Sequence, residues 1–262
     1  MPEGQKPSVL VTGGARRIGA VIARTFGEAG WHVVIHYGRS SGAAEALAAS
    51  LPSAETVHAD LADGNAAVDL IRTLVARLGN WRVFINSAGI FEPDDVTELD
   101  PRTYARSMTI NTATPVRMAQ AFLAHAKASG GRRVIQLTDQ KLENPNPDFF
   151  SYTMSKHALA ATIPMMAQLK ADGGASEPDD RVYGLAPGAI LPSHDQLESE
   201  TDISHRLNLL QRKTDVQEVA DACLFLAQGH LASGQTLFVD SGQHLLRQKR
   251  DIIYLAREQA PS

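Results

Sequence analysis

The sequence predicts an α/β chain built on one doubly wound parallel sheet, and three observations predict it. Short apolar runs alternate with amphipathic helical segments along nearly the whole chain. A glycine-rich turn joins the first apolar run to the first helical segment. No internal repeat, low-complexity tract or linker interrupts the alternation. Strands that alternate with helices pair in parallel through right-handed crossovers, with helices on both faces of the sheet. A single α/β domain is expected over residues 1–246, with 247–262 set apart as a tail of unassigned role.

The elements follow in order. Val9, Leu10 and Val11 make a first strand that ends in the Gly13–Gly14 turn, and residues 18–26 carry a helical period. Gly30 breaks that helix, and residues 31–36 read as a second strand. Helix 43–51, strand 55–59, helix 66–78 and strand 83–86 come next. Residues 101–128 carry one long helical pattern, and strand 133–138 follows the Gly130–Gly131 break. A helix over 152–169, a sixth strand over 181–185, a helix over 216–226 and a seventh strand over 236–239 complete the sheet. Residues 173–180 read as a polar surface loop, and 192–213 as a long irregular segment above the sheet, a candidate substrate lid.

Composition narrows the function. The 262 residues are long enough to bury a substantial core, and 44% hydrophobic with 21% charged is ordinary for a globular protein. A net charge of -4 leaves no basic footprint, so nucleic acid is not an expected partner. No apolar stretch approaches the ~20 residues of a membrane span. Residues 1–8 lack the basic and apolar regions of a secretory signal, so a cytoplasmic location is expected. Cys223 is the single cysteine, which excludes an internal disulfide and a cysteine-based zinc cage, and its apolar setting reads as a buried structural thiol. The histidines show no metal-ligand spacing, and no metal is expected.

In doubly wound sheets, ligands bind beyond the carboxyl ends of the strands. That rim would carry residues 12–19, 86–91, 138–139 and 187–188. The turn Thr12-Gly13-Gly14-Ala15-Arg16-Arg17-Ile18-Gly19 supplies what a pyrophosphate needs, amides at a helix N-terminus and glycines that allow close approach. Arg17 stands where many such loops carry glycine. At the end of the second strand, His36-Tyr37-Gly38-Arg39-Ser40 has no acid before Glu45. An NAD site usually places a carboxylate there. Arg39, Ser40 and Arg16 or Arg17 would instead suit a 2′-phosphate, which favours NADPH over a solvated basic turn. Asp60, followed by Leu61, would bind the adenine amino group or cap the next helix. Asn86-Ser87-Ala88-Gly89 would pass along the cofactor.

Tyr152 and Lys156 stand four residues apart and share one helical face. A tyrosine is a poor acid at neutral pH, and a nearby ammonium would bring its pKa down toward the working range. On an arbitrary helix the pair would be structural; after the fifth strand of a chain with a dinucleotide loop it reads as catalytic.

Together, the Thr-Gly-x-x-x-x-x-Gly turn, Asn86-Ser-Ala-Gly89, Asn111, Tyr152-x-x-x-Lys156 and Pro187-Gly188 resemble the short-chain dehydrogenase/reductase superfamily, in order from about residue 8 to 242. The resemblance implies a Rossmann-type domain with a seven-stranded parallel sheet. It makes Tyr152 the proton donor, Lys156 its pKa modulator and ribose ligand, and Asn111 part of a water-linked proton relay, with Ile18, Thr138, Pro187 and Gly188 beside the cofactor. A homodimer or homotetramer is expected by the same analogy.

One departure is informative. Thirteen residues before the tyrosine, most of the superfamily has serine, and this chain has Asp139. An ionised carboxylate cannot donate to a carbonyl oxygen. It could orient the tyrosine, feed a proton relay or accept from a substrate N–H, which suits a ring nitrogen better than a ketone; a turn cap is the plain alternative. With Arg17, His36-Tyr37-x-Arg39-Ser40 and Tyr152-Thr-Met-Ser-Lys156, the pattern resembles pteridine and dihydromonapterin reductases. That subgroup implies Phe91 as the aromatic stacked on a pterin-like substrate, against the commoner fate of a buried phenylalanine. An NADPH-dependent pteridine reductase is therefore expected. The alternatives are a general carbonyl reductase, such as one acting on 3-oxoacyl groups, and a non-catalytic nucleotide sensor on the same scaffold.

Overall fold

Seven strands among the described residues form one sheet: β1 (Ser8–Thr12), β2 (His32–Tyr37), β3 (Ala54–His58), β4 (Trp81–Asn86), β5 (Arg133–Leu137), β6 (Arg181–Pro187) and β7 (Thr236–Val239). Their order is β3-β2-β1-β4-β5-β6-β7, and every neighbouring pair is parallel. The computed structural model describes residues 6–168, 179–192 and 196–259. Most of the loop expected at 173–180 and the end of the helix expected over 152–169 lie outside the described residues. The strand order reverses between β1 and β4, which sets a crevice at their carboxyl ends.

The central strands are apolar on both sides because each feeds two cores. Successive side chains of a strand point to opposite faces. Val9 and Val11, Val33 and Ile35, Val83 and Ile85, and Ile135 and Leu137 fall in one cluster. Leu10, Val34 and Phe84, the residues between them, fall in the other, with Val134, which precedes Ile135. The first cluster is covered by α1 (Arg17–Glu28), α2 (Ser41–Ser50) and α8 (Val216–Gln228), through Ile22, Phe26, Leu47, Val219 and Cys223. The second is covered by α3 (Gly64–Arg77), α5 (Thr114–His125) and α6 (Phe150–Ala167), through Ile71, Met118, Phe122 and Ile163. Trp81 and Phe122 meet at 4.8 Å between ring centroids, and both are fully buried. Burying each such large side chain stabilises the fold by roughly 1.5–3 kcal/mol. Cys223 is also fully buried, and burial pushes its thiol pKa up, as an inert structural cysteine requires.

Three expectations need correction. The long helix expected over 101–128 is α4 (Pro101–Met108), a π turn at Thr109–Ala113, and then α5. Pro115 lacks the N–H that would bond the Asn111 carbonyl one helical turn back, so the helix loosens just ahead of it. The segment expected to be irregular over 192–213 contains α7 (Glu198–Ser204), whose Glu200 Oε2 accepts the Leu197 N–H at 3.1 Å. The tail is no appendage. Its helix α9 (Ile252–Gln259) packs beside α7, and Arg257 Nε lies 3.4 Å from Glu200 Oε1.

Candidate active site

The glycine loop is shaped by crowding from two sides. Gly13 takes φ +63°, and a Cβ there would lie 3.1 Å from Ala88 Cα; a Cβ on Gly19 would run into the Gly13 carbonyl oxygen. The second strand pins the loop from behind. Gly13 N–H donates to His36 Nδ1 at 3.2 Å, and His36 Nε2 lies 3.1 Å from the Ala59 carbonyl oxygen. Those partners need a neutral ring carrying its proton on Nε2. Burial agrees, lowering the His36 pKa to about 4. Thr12 Oγ1 fixes the opposite wall by accepting the Ser87 and Ala88 N–H groups at 3.1 and 3.2 Å. Arg17 adopts φ +54° without being glycine, and its guanidinium donates to the Pro192 carbonyl oxygen at 3.0 Å.

Helix α1 starts without a side-chain cap, whereas Asp63, Asp100 and Asp215 cap α3, α4 and α8. Its first-turn amides and the glycine cradle together fit a dinucleotide pyrophosphate. A cleft of about 320 Å³ runs from there to the end of β2. It gathers Gly13, Arg16, Arg17, Ile18 and Gly19 with Tyr37 and Ser40, and meets Ser87, Ala88 and Gly89 on the far wall. Arg39 stands exposed next to Ser40, outside the cleft lining. Asn86 and Leu61 are buried and lie outside that lining too. Asp60 is exposed and accepts the Ala62 N–H at 2.9 Å. The cap of α3 is Asp63, so the capping alternative for Asp60 is corrected to a tight turn.

A second cleft, of about 270 Å³, shares Arg17, Ile18, Ser87 and Gly89 with the first and opens over the carboxyl ends of β5 and β6. Thr138, Asp139, Tyr152, Lys156, Phe91, Pro187 and Gly188 all line it. Tyr152 OH donates to Asp139 Oδ2 at 2.7 Å, and the Lys141 N–H donates to Asp139 Oδ1 at 2.9 Å. Asp139 is thus both a turn cap and the partner of the tyrosine. Lys156 Nζ donates to the Leu137 carbonyl oxygen at 2.7 Å and lies 5.7 Å from the Tyr152 ring centre. Asn111, in the π turn, accepts the Ile90 N–H at 2.9 Å and donates to the Ile90 carbonyl oxygen and Ser155 Oγ, both at 3.0 Å. It joins the β4 loop to α6 from below and is fully buried.

The electrostatics reverse one expectation. Lys156 does not bring the Tyr152 phenol down; burial and the neighbouring Asp139 carboxylate push it well above the usual tyrosine value. Burial likewise raises Asp139 and lowers Lys156 to about 8. Both members of the Tyr152–Asp139 pair are thus shifted upward, with burial as the largest cause for each.

Phe91 is neither free nor in the core. It stacks on Phe149 at 3.9 Å and 19°, and meets the Tyr152 ring edge-on at 4.7 Å and 88°. Phe149 sits at the N-cap of α6 with φ +54°. Sequence reasoning missed Phe149, Lys141, Asp251 and His205, all at or beside this cleft. Phe149 and the Ile252-Ile253-Tyr254 run were legible as apolar groups, yet nothing local tied either to the site.

A family model described as enoyl-(acyl carrier protein) reductase matches residues 13–244. Short-chain dehydrogenase reductase 5 of Arabidopsis thaliana is 32% identical over 254 residues, covering 91% of this chain and 95% of that one. Pteridine reductase 1 of Leishmania tarentolae is 28% identical over 286 residues, covering 92% and 97%. The crystal structure of FolM alternative dihydrofolate reductase 1 from Brucella canis, complexed with NADP, superposes with a TM-score of 0.84 at 33% identity, covering 94% and 97%.

Proposed function

Because the chain belongs to the short-chain dehydrogenase/reductase superfamily, we propose that this NADPH-dependent oxidoreductase reduces the C=N bond of pterin-like rings. The observation that carries the substrate reading is the Tyr152–Asp139 hydrogen bond of 2.7 Å. Where a ketone reductase needs a hydroxyl donor for the carbonyl oxygen, this site offers a carboxyl group that can pass a proton on or accept from a ring N–H. The pteridine reductase of Leishmania and the NADP-bound FolM structure support the same reading.

Bound NADPH supplies the hydride. The glycine loop from Gly13 to Gly19 would hold its pyrophosphate, with Arg16, Tyr37, Arg39 and Ser40 toward the 2′-phosphate and Asp60 and Leu61 toward the adenine. Asn86, Ser87, Ala88, Gly89, Thr138, Pro187 and Gly188 would flank its other half, and Lys156 would hold the ribose. Phe91 and Arg17 would bind the ring to be reduced. The proton comes from the Tyr152–Asp139 pair. Tyr152 OH gives its proton to the ring nitrogen, and the Asp139 carboxyl returns one to the phenolate oxygen. The carboxylate left behind is stabilised by the Lys141 N–H it already accepts. Asn111 supports the pair by holding the start of α6.

Spectrophotometry with dihydrobiopterin or dihydromonapterin tests the reading, with pterin-dependent oxidation of NADPH as the expected result. Turnover of 3-oxoacyl or simple ketone substrates without any pterin turnover would replace it with a general carbonyl reductase. NADPH binding with no turnover, unaffected by Tyr152→Phe, would leave a nucleotide sensor.

A further inference from the structure

The C-terminal segment supplies part of the wall of the catalytic cleft. Asp251, Ile252 and Ile253 line it, and Ile253 is buried against Phe149 and Tyr152. The seat is a chain of charged contacts. Lys141 Nζ lies 2.6 Å from Asp251 Oδ2, with both side chains only 5% exposed. The same ammonium approaches the Asp148 carbonyl oxygen at 3.4 Å and Asn146 Oδ1 at 3.5 Å. Asp148 in turn accepts the Asp251 N–H at 2.7 Å and pairs with Arg250 Nε at 2.8 Å. Asp251 Oδ1 accepts the Ile253 N–H at 3.0 Å.

A buried ion pair is a costly way to fasten a tail. Removing two charges from water costs several kcal/mol per ion, and a packed apolar pair often holds as well. The position of this one gives it a second use. The backbone N–H of Lys141 is the group that caps Asp139, so a single residue touches the Tyr152 partner through its amide and the C-terminal segment through its ammonium.

We propose that Lys141 is a positioning residue: its pair with Asp251 seats the C-terminal segment so that Asp251, Ile252 and Ile253 line the substrate cleft, and sets how much positive charge the Asp139 carboxyl feels. The inference rests on the reading of Asp139 as half of the proton-donating pair. Facing Asp139 are Lys141 from its own turn, Tyr152 and Lys156 from α6, and Asp251 from the tail through Lys141; Arg17 and His205 line the same cleft. Burial raises Asp139, and the Lys141 charge opposes that rise. Neutralising the two partners therefore acts with opposite sign. Lys141→Gln removes the positive charge, so Asp139 should bind its proton more tightly. Asp251→Asn leaves the ammonium uncompensated, so Asp139 should release its proton more readily.

The test is the titration of the Asp139 carboxyl by ¹³C NMR of aspartate-labelled protein, assigned with Asp139→Asn. Expected midpoints move up in Lys141→Gln and down in Asp251→Asn, each by about half a pH unit or more. The alkaline limb of the kcat–pH profile should follow in the same directions. Hydrogen exchange of the α9 amides should quicken at least about tenfold in both variants, because both weaken the seat. Midpoints that move together, or stay put, would overturn the proposal, since simple loss of a structural contact has no reason to give opposite signs. If Lys141→Gln does not fold, the isosteric Asp251→Asn decides alone: an unmoved or raised midpoint overturns it. The NMR titration needs no substrate. A wild-type enzyme that ignores pterins but shows the opposite shifts would sink the pterin reading and leave this one standing.

Discussion

At the scale of the residue, the site is a set of side chains whose proton affinities have been moved by what they touch. Tyr152 was legible from its spacing to Lys156, and Asp139 from its offset of thirteen residues. The direction of the Tyr152 shift was not, because it depends on a 2.7 Å contact across a loop. The pair predicts a specific mutational pattern. Under the proposed mechanism Tyr152→Phe removes the proton destined for the ring, and kcat should fall by about 10²–10⁴-fold while NADPH affinity, read by fluorescence titration, stays the same. Asp139→Ser restores the hydroxyl common in the superfamily. Under the pterin reading it should slow pterin turnover severalfold or more, whereas a gain with ketones and no loss with pterins would count against that reading. Arg39→Ala tests the far end of the cofactor. Loss of one charge-assisted contact to a 2′-phosphate should weaken NADPH about tenfold and leave NADH unchanged in competition binding. Equal affinities before and after would remove Arg39 from the cofactor site.

At the scale of the element, the strands and helices follow from the sequence because their signal is local. The alternation of Val9, Leu10 and Val11 between two cores is what makes a continuous apolar run a central parallel strand. Boundaries shift by a few residues, as at β6, which extends through Pro187 to the rim. What stayed hidden depends on contacts between distant segments. The π turn at Thr109–Ala113 presents Asn111 to Ile90 and Ser155, and a helical period cannot show a five-residue interruption that keeps the apolar face intact. Asn111 should accordingly carry part of the local stability. Asn111→Ala strands the N–H and carbonyl of Ile90 in a partly buried loop, at about 1–3 kcal/mol for each group left unpaired. We expect Tm to drop by roughly 5–10 °C in calorimetry. An unchanged Tm would show that the π turn does not depend on that side chain.

At the scale of the whole molecule, the sequence predicts a domain of 246 residues with a tail, and in the structure Ile252 and Ile253 of the last helix line the candidate cleft. The sequence could not show this, since Asp251 stands about a hundred positions from Lys141 and Asp148 and each resembles an ordinary surface charge. The same long-range closure governs how stability depends on pH. His36 is buried between the glycine loop and the β3 end, neutral, with its pKa lowered from 6.5 to about 4. In the unfolded chain it would take up a proton near pH 6.5. Between those values the unfolded state binds more protons, so stability falls as pH falls, and the loss levels off below about pH 4. At pH 5.0 the histidine should cost about 2 kcal/mol relative to pH 7.5. Asp139 works in the other direction: burial raises its pKa, so the stability tied to its proton is lost as pH rises. A wild-type profile alone mixes the two. His36→Asn keeps an acceptor for the Gly13 N–H and cannot gain a charge, so it isolates the histidine. Urea unfolding at pH 7.5 and 5.0 should show the wild type losing about 2 kcal/mol more than the variant. NADPH binding should weaken in parallel only below about pH 4, where protonated His36 can no longer accept from Gly13. Parallel losses in both proteins would mean that His36 is already charged in the folded state, and the pinning of the glycine loop by the second strand would have to be abandoned.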